Sequence, residues 1–194
     1  AVIHNNGITS SMTTTMSDCE GNIVFYSNGD SVWNKNHEAM DGGVLSTSTS
    51  VTSWARFPVL SFPYPDSSGL YFLIYANSTN KCYYAIIDMN QNGGLGKVVS
   101  KGNYIEDVYA RSTDIIPHAN GKDFWFITKG TETEIYAYPI TKNGFGNPVK
   151  SSGIGRAGRT TIKASSFGNK IALSVDQYSA SAISKYPYPV YVYD

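Results

Sequence analysis

The sequence predicts an all-β protein built from a repeated unit. Its 194 residues include 15 Tyr, 8 Phe, 3 Trp, 18 Gly and 8 Pro. Aromatic residues favour pleated strands, whereas Gly and Pro favour the tight turns between strands. Apolar runs are short, as in Tyr71–Tyr75, and segments with a helical pattern are scarce. Composition alone therefore favours strands joined by turns, and a repeat along the chain indicates how the strands are grouped.

Four segments of the chain share one pattern, in which a polar turn with Gly precedes an apolar strand, a second turn and a second strand. The turn glycines lie 48, 52 and 47 residues apart and are Gly21, Gly69, Gly121 and Gly168. A period of about 40 to 50 residues is typical of the four-stranded blades of a β-propeller. The sequence therefore predicts a β-propeller with about four blade-like repeats, at residues 8–50, 51–105, 106–155 and 156–194.

A β-sandwich is the competing fold, because its short strands also recur at regular spacing. A sandwich predicts no repeat of blade length, and for this reason we favour the propeller. Propellers are closed rings, and most of them have more than four blades. We therefore expect these residues to be part of a longer protein with a larger propeller. A compact ring of four blades is the alternative.

The charge balance excludes a nucleic-acid binder that works by bulk charge. Fifteen basic residues are offset by 15 acidic residues, and charged residues make up only 15% of the chain. A protein with no net charge and no basic patch cannot neutralise many phosphates. No apolar run approaches the roughly 20 residues that a membrane-spanning helix needs. We expect neither a nucleic-acid partner nor a membrane span.

Three stretches of the sequence resemble a known family. Residues 21–40 read GNIVFYSNGDSVWNKNHEAM, residues 84–96 read YAIIDMNQNGGLG, and residues 118–128 read HANGKDFWFIT. In this order they resemble the N-terminal propeller of large Bacteroidetes surface proteins, which carry a gliding-motility-associated C-terminal domain and are exported by the type IX secretion system. The resemblance covers most of the chain and implies a secreted or cell-surface location.

The resemblance implies location and architecture rather than chemistry, and no catalytic residues carry over from it. We expect a non-catalytic module for adhesion, display or partner binding, with a protein or glycan ligand at the cell surface and no cofactor. The type IX secretion machinery is an expected partner only for a chain that continues into a sorting domain, which these 194 residues do not include.

The sequence contains no set of residues that indicates a catalytic or metal site. The three histidines, His4, His37 and His118, show no metal-ligand spacing. Aspartates at turns commonly bond their own backbone, and this is the expected role of Asp18, Asp66 and Asp123. Nucleophile elbows, phosphate loops and zinc-binding helices are also missing from the sequence. The alternative function is a carbohydrate-active propeller enzyme, whose acid and base would be two carboxylates about 5 to 10 Å apart in a central channel.

Aromatic and histidine side chains are the candidate ligand-binding residues. Trp54 and Arg56 lie in a Ser/Thr-rich connection, where an exposed Trp beside Arg can stack on a sugar or anchor a protein partner. Trp33, His37 and His118 complete the set. Each has a structural alternative, since Trp54 can fill a gap between blades and His118 can bond a neighbouring backbone group. Full burial of Trp33 and Trp54 would favour a purely structural spacer.

The two cysteines, Cys19 and Cys82, lie 63 residues apart and match no metal motif. They fit either one disulfide or two buried thiols, and the sequence leaves both alternatives open.

Overall fold

The computed structural model describes residues 12–45, 58–77, 81–105, 108–130, 133–152, 159–165, 168–176 and 190–193. These residues form sixteen strands, one short 3₁₀ turn at Asn92–Gly94 and no α-helix. The described part of the chain has no helix that is long and apolar enough to cross a membrane. The chain divides into two compact units, residues 1–106 and 107–194. The prediction of an all-β fold is confirmed.

The first unit contains two antiparallel runs of four strands, named here the first and second meanders. The first meander consists of β1 (Thr14–Ser17), β2 (Ile23–Ser27), β3 (Ser31–Asn34) and β4 (Ala39–Val44). The second consists of β5 (Leu60–Pro63), β6 (Leu70–Ala76), β7 (Cys82–Asp88) and β8 (Lys97–Ile105). Strands that follow each other along the chain pair within each meander, so every connection inside a meander is a hairpin.

The first and second meanders approach each other at both edges. At one edge, β4 and β8 pair in parallel through a single bridge between Asp41 and Lys97. At the other edge, the Thr14 hydroxyl on β1 lies 2.7 Å from the Ser61 hydroxyl on β5. The eight strands therefore make a nearly closed, barrel-like sheet.

The pairing of β4 with β8 differs from the predicted arrangement, in which each blade is a separate four-stranded sheet. Gly42 gives the physical reason. Its φ is +71°, and a Cβ atom at this position would lie 2.7 Å from the Val98 carbonyl oxygen. Only glycine combines this backbone conformation with such a close approach, so Gly42 allows β4 to reach β8. The β-propeller itself stays a prediction.

A buried apolar cluster fills the space between the first and second meanders. The first meander contributes Phe25, Val32 and Met40, and the second contributes Val59, just before β5, together with Leu73, Tyr75, Ala85, Ile87 and Val98. Alternate residues of a strand point to opposite faces, which explains why Phe25 is buried while its neighbours on β2 are more exposed. The core of the first unit thus lies between two sheet faces.

The second meander carries apolar side chains on its other face as well. Phe72 is fully buried there and stacks on Tyr64 and Phe62, with ring centroids 4.5 and 5.3 Å apart. A strand that is buried on both faces needs a continuous apolar run instead of an alternating one. This accounts for the unbroken sequence Tyr71–Tyr75 in β6.

The second unit begins with a third meander. Its strands are β9 (Tyr109–Pro117), β10 (Phe124–Lys129), β11 (Glu134–Thr141), β12 (Gly144–Phe145) and β13 (Val149–Ser152). β9, β10 and β11 pair in order, and β12 and β13 both pair along β11 as one interrupted outer strand. The short β12 lies opposite Ile140 and Thr141, directly after the turn.

A fourth antiparallel run completes the second unit with β14 (Arg159–Ala164), β15 (Ile171–Asp176) and β16 (Val190–Tyr193). It packs against the third meander through an aliphatic cluster made of Ile116, Ile127, Ile135, Ile162 and Leu173. Asp114 on β9 strengthens this contact, because its carboxylate accepts hydrogen bonds from Lys163 Nζ at 3.1 Å and from the Ala164 backbone N–H at 3.0 Å.

The four glycines of the sequence repeat occupy equivalent turns. Each one lies in the hairpin before the second strand of its run and has a positive φ, at 86°, 77°, 71° and 67° for Gly21, Gly69, Gly121 and Gly168. The residue that opens each hairpin also closes it with a backbone hydrogen bond, from the N–H of Asp18, Tyr64, His118 or Ser165. The repeat is therefore structural. Each predicted blade segment contains one run of strands, although the description of these runs as blades stays a prediction.

Candidate functional site

Tyr26 and Trp33 form a pair of aromatic rings on the outer face of the first meander. They lie directly opposite each other on β2 and β3. Their neighbours Phe25 and Val32 are in the buried cluster, so alternation directs Tyr26 and Trp33 away from the second meander. The two rings are parallel to within 15°, with centroids 5.4 Å apart, and both side chains are partly exposed.

His37 extends this pair from the turn between β3 and β4. Its Nδ1 is 3.2 Å from the Tyr26 hydroxyl oxygen, and the two ring centroids are 5.7 Å apart. We name Tyr26, Trp33 and His37 the aromatic strip. Trp33 and His37 were both predicted as ligand-binding residues, and the structure brings both of them into contact with Tyr26.

The turn that holds His37 is fixed by Asn34. The Asn34 side-chain oxygen accepts hydrogen bonds from the backbone N–H groups of Asn36 and Glu38, and the Asn34 carbonyl accepts one from His37. His37 has a φ of +66°, a conformation that is uncommon outside glycine. The buried Asn34 thus holds the imidazole beside Tyr26.

Small uncharged residues flank the aromatic strip on the two outer strands. Thr15 on β1 lies opposite Tyr26, and Ala39 on β4 lies opposite Trp33. Both flanking side chains are exposed. A row of four side chains without charge therefore crosses the outer face of the first meander, with the two large rings in the middle.

His118, the third predicted residue that the structure describes, lies in the second unit. Its Nδ1 accepts a hydrogen bond from the Asn120 backbone N–H at 3.1 Å, and its ring stacks on Trp125 with centroids 5.5 Å apart. At the equivalent hairpins, Asp18 Oδ1 and Ser165 Oγ also accept bonds from backbone N–H groups. His118 therefore has the geometry of a hairpin-closing residue. Trp54, Arg56 and His4 lie outside the described residues.

Several exposed carboxylates belong to turns and strand edges. The Asn22 side chain lowers the pKa of Asp18, the Gln91 side chain lowers the pKa of Asp88, and the Lys97 ammonium lowers the pKa of Asp41 by hydrogen bonding and charge. Burial raises the pKa of Asp30, in the turn between β2 and β3. A glycosidic acid and base would need two carboxylates with divergent environments in one channel. That arrangement stays a prediction.

The thiols and the other metal-ligating groups make no site in the described residues. Cys19 is exposed in the first hairpin and Cys82 is buried at the start of β7, and they are not bridged. The expectation of one disulfide and the expectation of two buried thiols are therefore both wrong. Burial raises the pKa of Cys82 to about 12. The described part of the chain contains no group of three or more His, Cys, Asp and Glu side chains able to hold a metal ion.

Comparison of the chain with protein families, with curated proteins and with solved structures finds no match. The fold therefore defines the class, an all-β protein whose first unit is a nearly closed sheet of eight strands.

Proposed function

We propose that this chain is a β-propeller-type module that works without catalysis in adhesion, display or partner binding at a cell surface. The support from the fold is the repetition of antiparallel meanders that pack face to face. The second meander covers the first through Leu73, and the fourth run covers the third through Leu173, both almost fully buried. Blades of a propeller pack against their neighbours in the same manner.

The family resemblance supports the location, and its three stretches fall on repeated parts of the structure. Residues 21–40 span β2, β3 and the turn of His37, residues 84–96 run from β7 through the turn before β8, and residues 118–128 form a hairpin and β10. The proposed module is secreted or held at the cell surface. Export through the type IX machinery is proposed for a chain that includes a sorting domain.

The aromatic strip is the observation that carries the binding role. A partly exposed Tyr–Trp pair on a sheet face, fixed beside an exposed imidazole, exposes large apolar rings to solvent where burial would stabilise them. Aromatic side chains with a polar end are enriched where proteins contact their partners. Because Trp33 is not fully buried, the condition set for a purely structural spacer is not met at this residue.

A binding screen tests the proposal directly. The 194-residue chain is labelled and applied to arrays of glycans and of surface proteins, and then to a panel of polysaccharides with detection of released reducing ends. We expect saturable binding to at least one array component and no hydrolysis. Hydrolysis of a polysaccharide that a single Asp→Asn or Glu→Gln change abolishes would overturn the proposal in favour of the enzymatic alternative.

A further inference from the structure

The geometry of the aromatic strip points to a ligand class, and we propose that it binds the apolar face of a neutral pyranose ring in a glycan. This inference rests on the proposed binding function and specifies its ligand. The pyranose would lie on the face of the Trp33 ring that is turned away from Tyr26, with its hydroxyl groups directed to the polar atoms around the strip.

The arrangement of the two rings suits a sugar ring. A pyranose exposes C–H groups on one face, and aromatic rings attract such faces by dispersion and by their negative π-surface. Tyr26 and Trp33 are stacked, parallel to within 15° with centroids 5.4 Å apart, so each ring covers part of one face of the other and turns its second face away from the pair. Thr15 and Ala39 at the two ends are too small to cover the rings.

The absence of charge in the row favours a neutral ligand. Thr15, Tyr26, Trp33 and Ala39 carry no formal charge, so the row offers no ion pair to a uronic acid, sulfate or phosphate. In the adjoining turn, the Glu38 carboxylate accepts a hydrogen bond from the Asn34 side chain at 3.4 Å. The same turn carries the exposed Lys35, which offsets this charge, and the Glu38 carboxylate can accept hydrogen bonds from sugar hydroxyls.

The polar atoms of the strip distinguish it from the faces that are buried between the first and second meanders. The faces buried between the first and second meanders consist of apolar side chains such as Leu73, Ala85 and Ile87. On the strip, the Tyr26 hydroxyl and the Trp33 indole N–H are polar groups whose desolvation costs free energy unless a ligand supplies hydrogen bonds. Sugar hydroxyls supply such bonds, because each can donate and accept.

The strip is also held in place before any ligand arrives. The Asn34 hydrogen bonds fix the turn of His37, and the contact between His37 Nδ1 and the Tyr26 hydroxyl fixes the tyrosine ring. Ordering of side chains is one of the main costs of binding, so a surface that is fixed in advance retains more of its interaction energy.

Titration of the isotope-labelled chain with neutral hexasaccharides tests the inference. The probes are β-1,4-glucose, α-1,4-glucose and β-1,4-mannose hexamers, with a galacturonic acid hexamer as the charged control. We expect at least one neutral probe to shift the Trp33 indole N–H resonance saturably at concentrations below about 10 mM, a weak affinity typical of few contacts. The Trp125 indole in the same spectrum serves as an internal control. If no neutral probe moves the Trp33 resonance, the inference is wrong.

Variants provide the second arm of the test. We expect Trp33→Thr to weaken binding of the neutral probe at least about tenfold, which corresponds to about 1.4 kcal/mol. Tyr104→Thr is the matched control, since Tyr104 is an exposed aromatic residue on β8 and should leave the affinity unchanged. Equal affinity of the two variants would overturn the inference. Should Trp33→Thr not fold, Trp33→Phe keeps an aromatic ring and predicts a smaller loss.

Failure of this inference is distinguishable from failure of the proposed function. Binding of a protein on the array, with no response of Trp33 to neutral sugars, overturns the sugar assignment and leaves the binding module in place. No binding to any array component and no response to sugars overturns both. If Trp33→Thr converts a dimer into a monomer without any effect of sugars, the strip is a self-association surface and the sugar assignment is wrong.

Discussion

The ring of Phe25 on β2 packs edge to face against the ring of Tyr71 on β6, with centroids 5.4 Å apart and planes at 72°. Edge-to-face geometry is a favoured arrangement of two aromatic rings, because the positive ring edge meets the negative face. The contact connects the first meander to the second across the buried cluster. Face-to-face packing of the two meanders therefore depends on specific side chains as well as on apolar area.

Leu73 is the residue at which loss of this packing should be most visible. It is 0% exposed and belongs to the cluster between the two meanders. We expect Leu73→Ala to lower the free energy of unfolding by about 2 to 5 kcal/mol, because the truncated side chain leaves a cavity. Denaturant titration followed by circular dichroism measures the change.

Val99→Ala is the matched control for Leu73→Ala. Val99 lies on β8 with 48% of its surface exposed, so its truncation should change stability by no more than about 0.5 kcal/mol. Equal effects of the two substitutions would contradict the packing of Leu73 between the meanders.

Gly42 tests the close approach of β4 to β8. A Cβ atom at this position would meet the Val98 carbonyl oxygen at 2.7 Å, whereas one at Gly21 would meet no atom within 4 Å. Both glycines have positive φ, so Gly21→Ala should cost only the conformational strain of about 1 to 2 kcal/mol. We expect Gly42→Ala to cost clearly more than Gly21→Ala in thermal unfolding. A smaller loss for Gly42→Ala would show that the two edges are not joined.

The turn glycines were predictable from the sequence because a positive φ is a strong local requirement. Gly21, Gly69, Gly121 and Gly168 recur with polar neighbours, and each is found in the expected hairpin. The bridge between Asp41 and Lys97 was not predictable, since one parallel pair between distant strands leaves no periodic signal. Gly42 resembles an ordinary turn residue in the sequence, and only its approach to β8 reveals its role.

The aromatic strip was predictable in part. Trp33 and His37 were recognisable as unusual residues near a turn, but Tyr26 lies in the apolar run of β2, where a core residue and a surface residue look alike. The turn motif does not settle the position of Tyr26. A two-residue Asn28–Gly29 loop would place Tyr26 opposite Ser31. The structure turns one residue later, at Gly29–Asp30, where the Asn28 N–H bonds to the Ser31 carbonyl, and Tyr26 lies opposite Trp33. Which face of the sheet packs on the second meander depends on the tertiary structure, and the local sequence does not determine it.

Acidification should destabilise the first unit through its turn carboxylates. The pKa values of Asp18, Asp41 and Asp88 are lowered in the folded state, so their stabilising effect is present above the ordinary carboxyl pKa of 3.8 and is lost as the pH falls through the folded-state values. We expect a lower melting temperature at about pH 3 than at about pH 6. The triple variant with Asn at these positions should lose less stability on acidification.

Asp30→Asn is the control for this pH dependence, because it should change the loss of stability at acid pH in the opposite direction. Burial raises the pKa of Asp30, so its ionisation destabilises the folded state as the pH rises, and protonation on acidification is favourable. Removing this group should make the loss at acid pH larger. If the triple variant and Asp30→Asn change the pH profile in the same direction, the assignment of these carboxylates is wrong.

The two thiols should differ in reactivity. Cys19 is exposed, whereas Cys82 is buried with a pKa raised to about 12, and a thiol reacts through its thiolate. We expect a thiol-specific reagent at about pH 8 to label one cysteine in the native chain and both after denaturation. Peptide mass mapping identifies the labelled residue. Labelling of Cys82 in the native chain, or of neither thiol, would contradict the described burial and the absence of a disulfide.

Nuclear Overhauser effects between the ring protons of Phe25 and Tyr71 test the face-to-face packing of the meanders most directly. The two rings are far apart in the sequence, and a centroid separation of 5.4 Å places some of their protons within the range of the effect. We predict clear cross-peaks between the two rings in a spectrum of the aromatic-labelled chain. Cross-peaks from Phe25 to residues of β1, β3 and β4 alone would show that the first meander does not pack on the second.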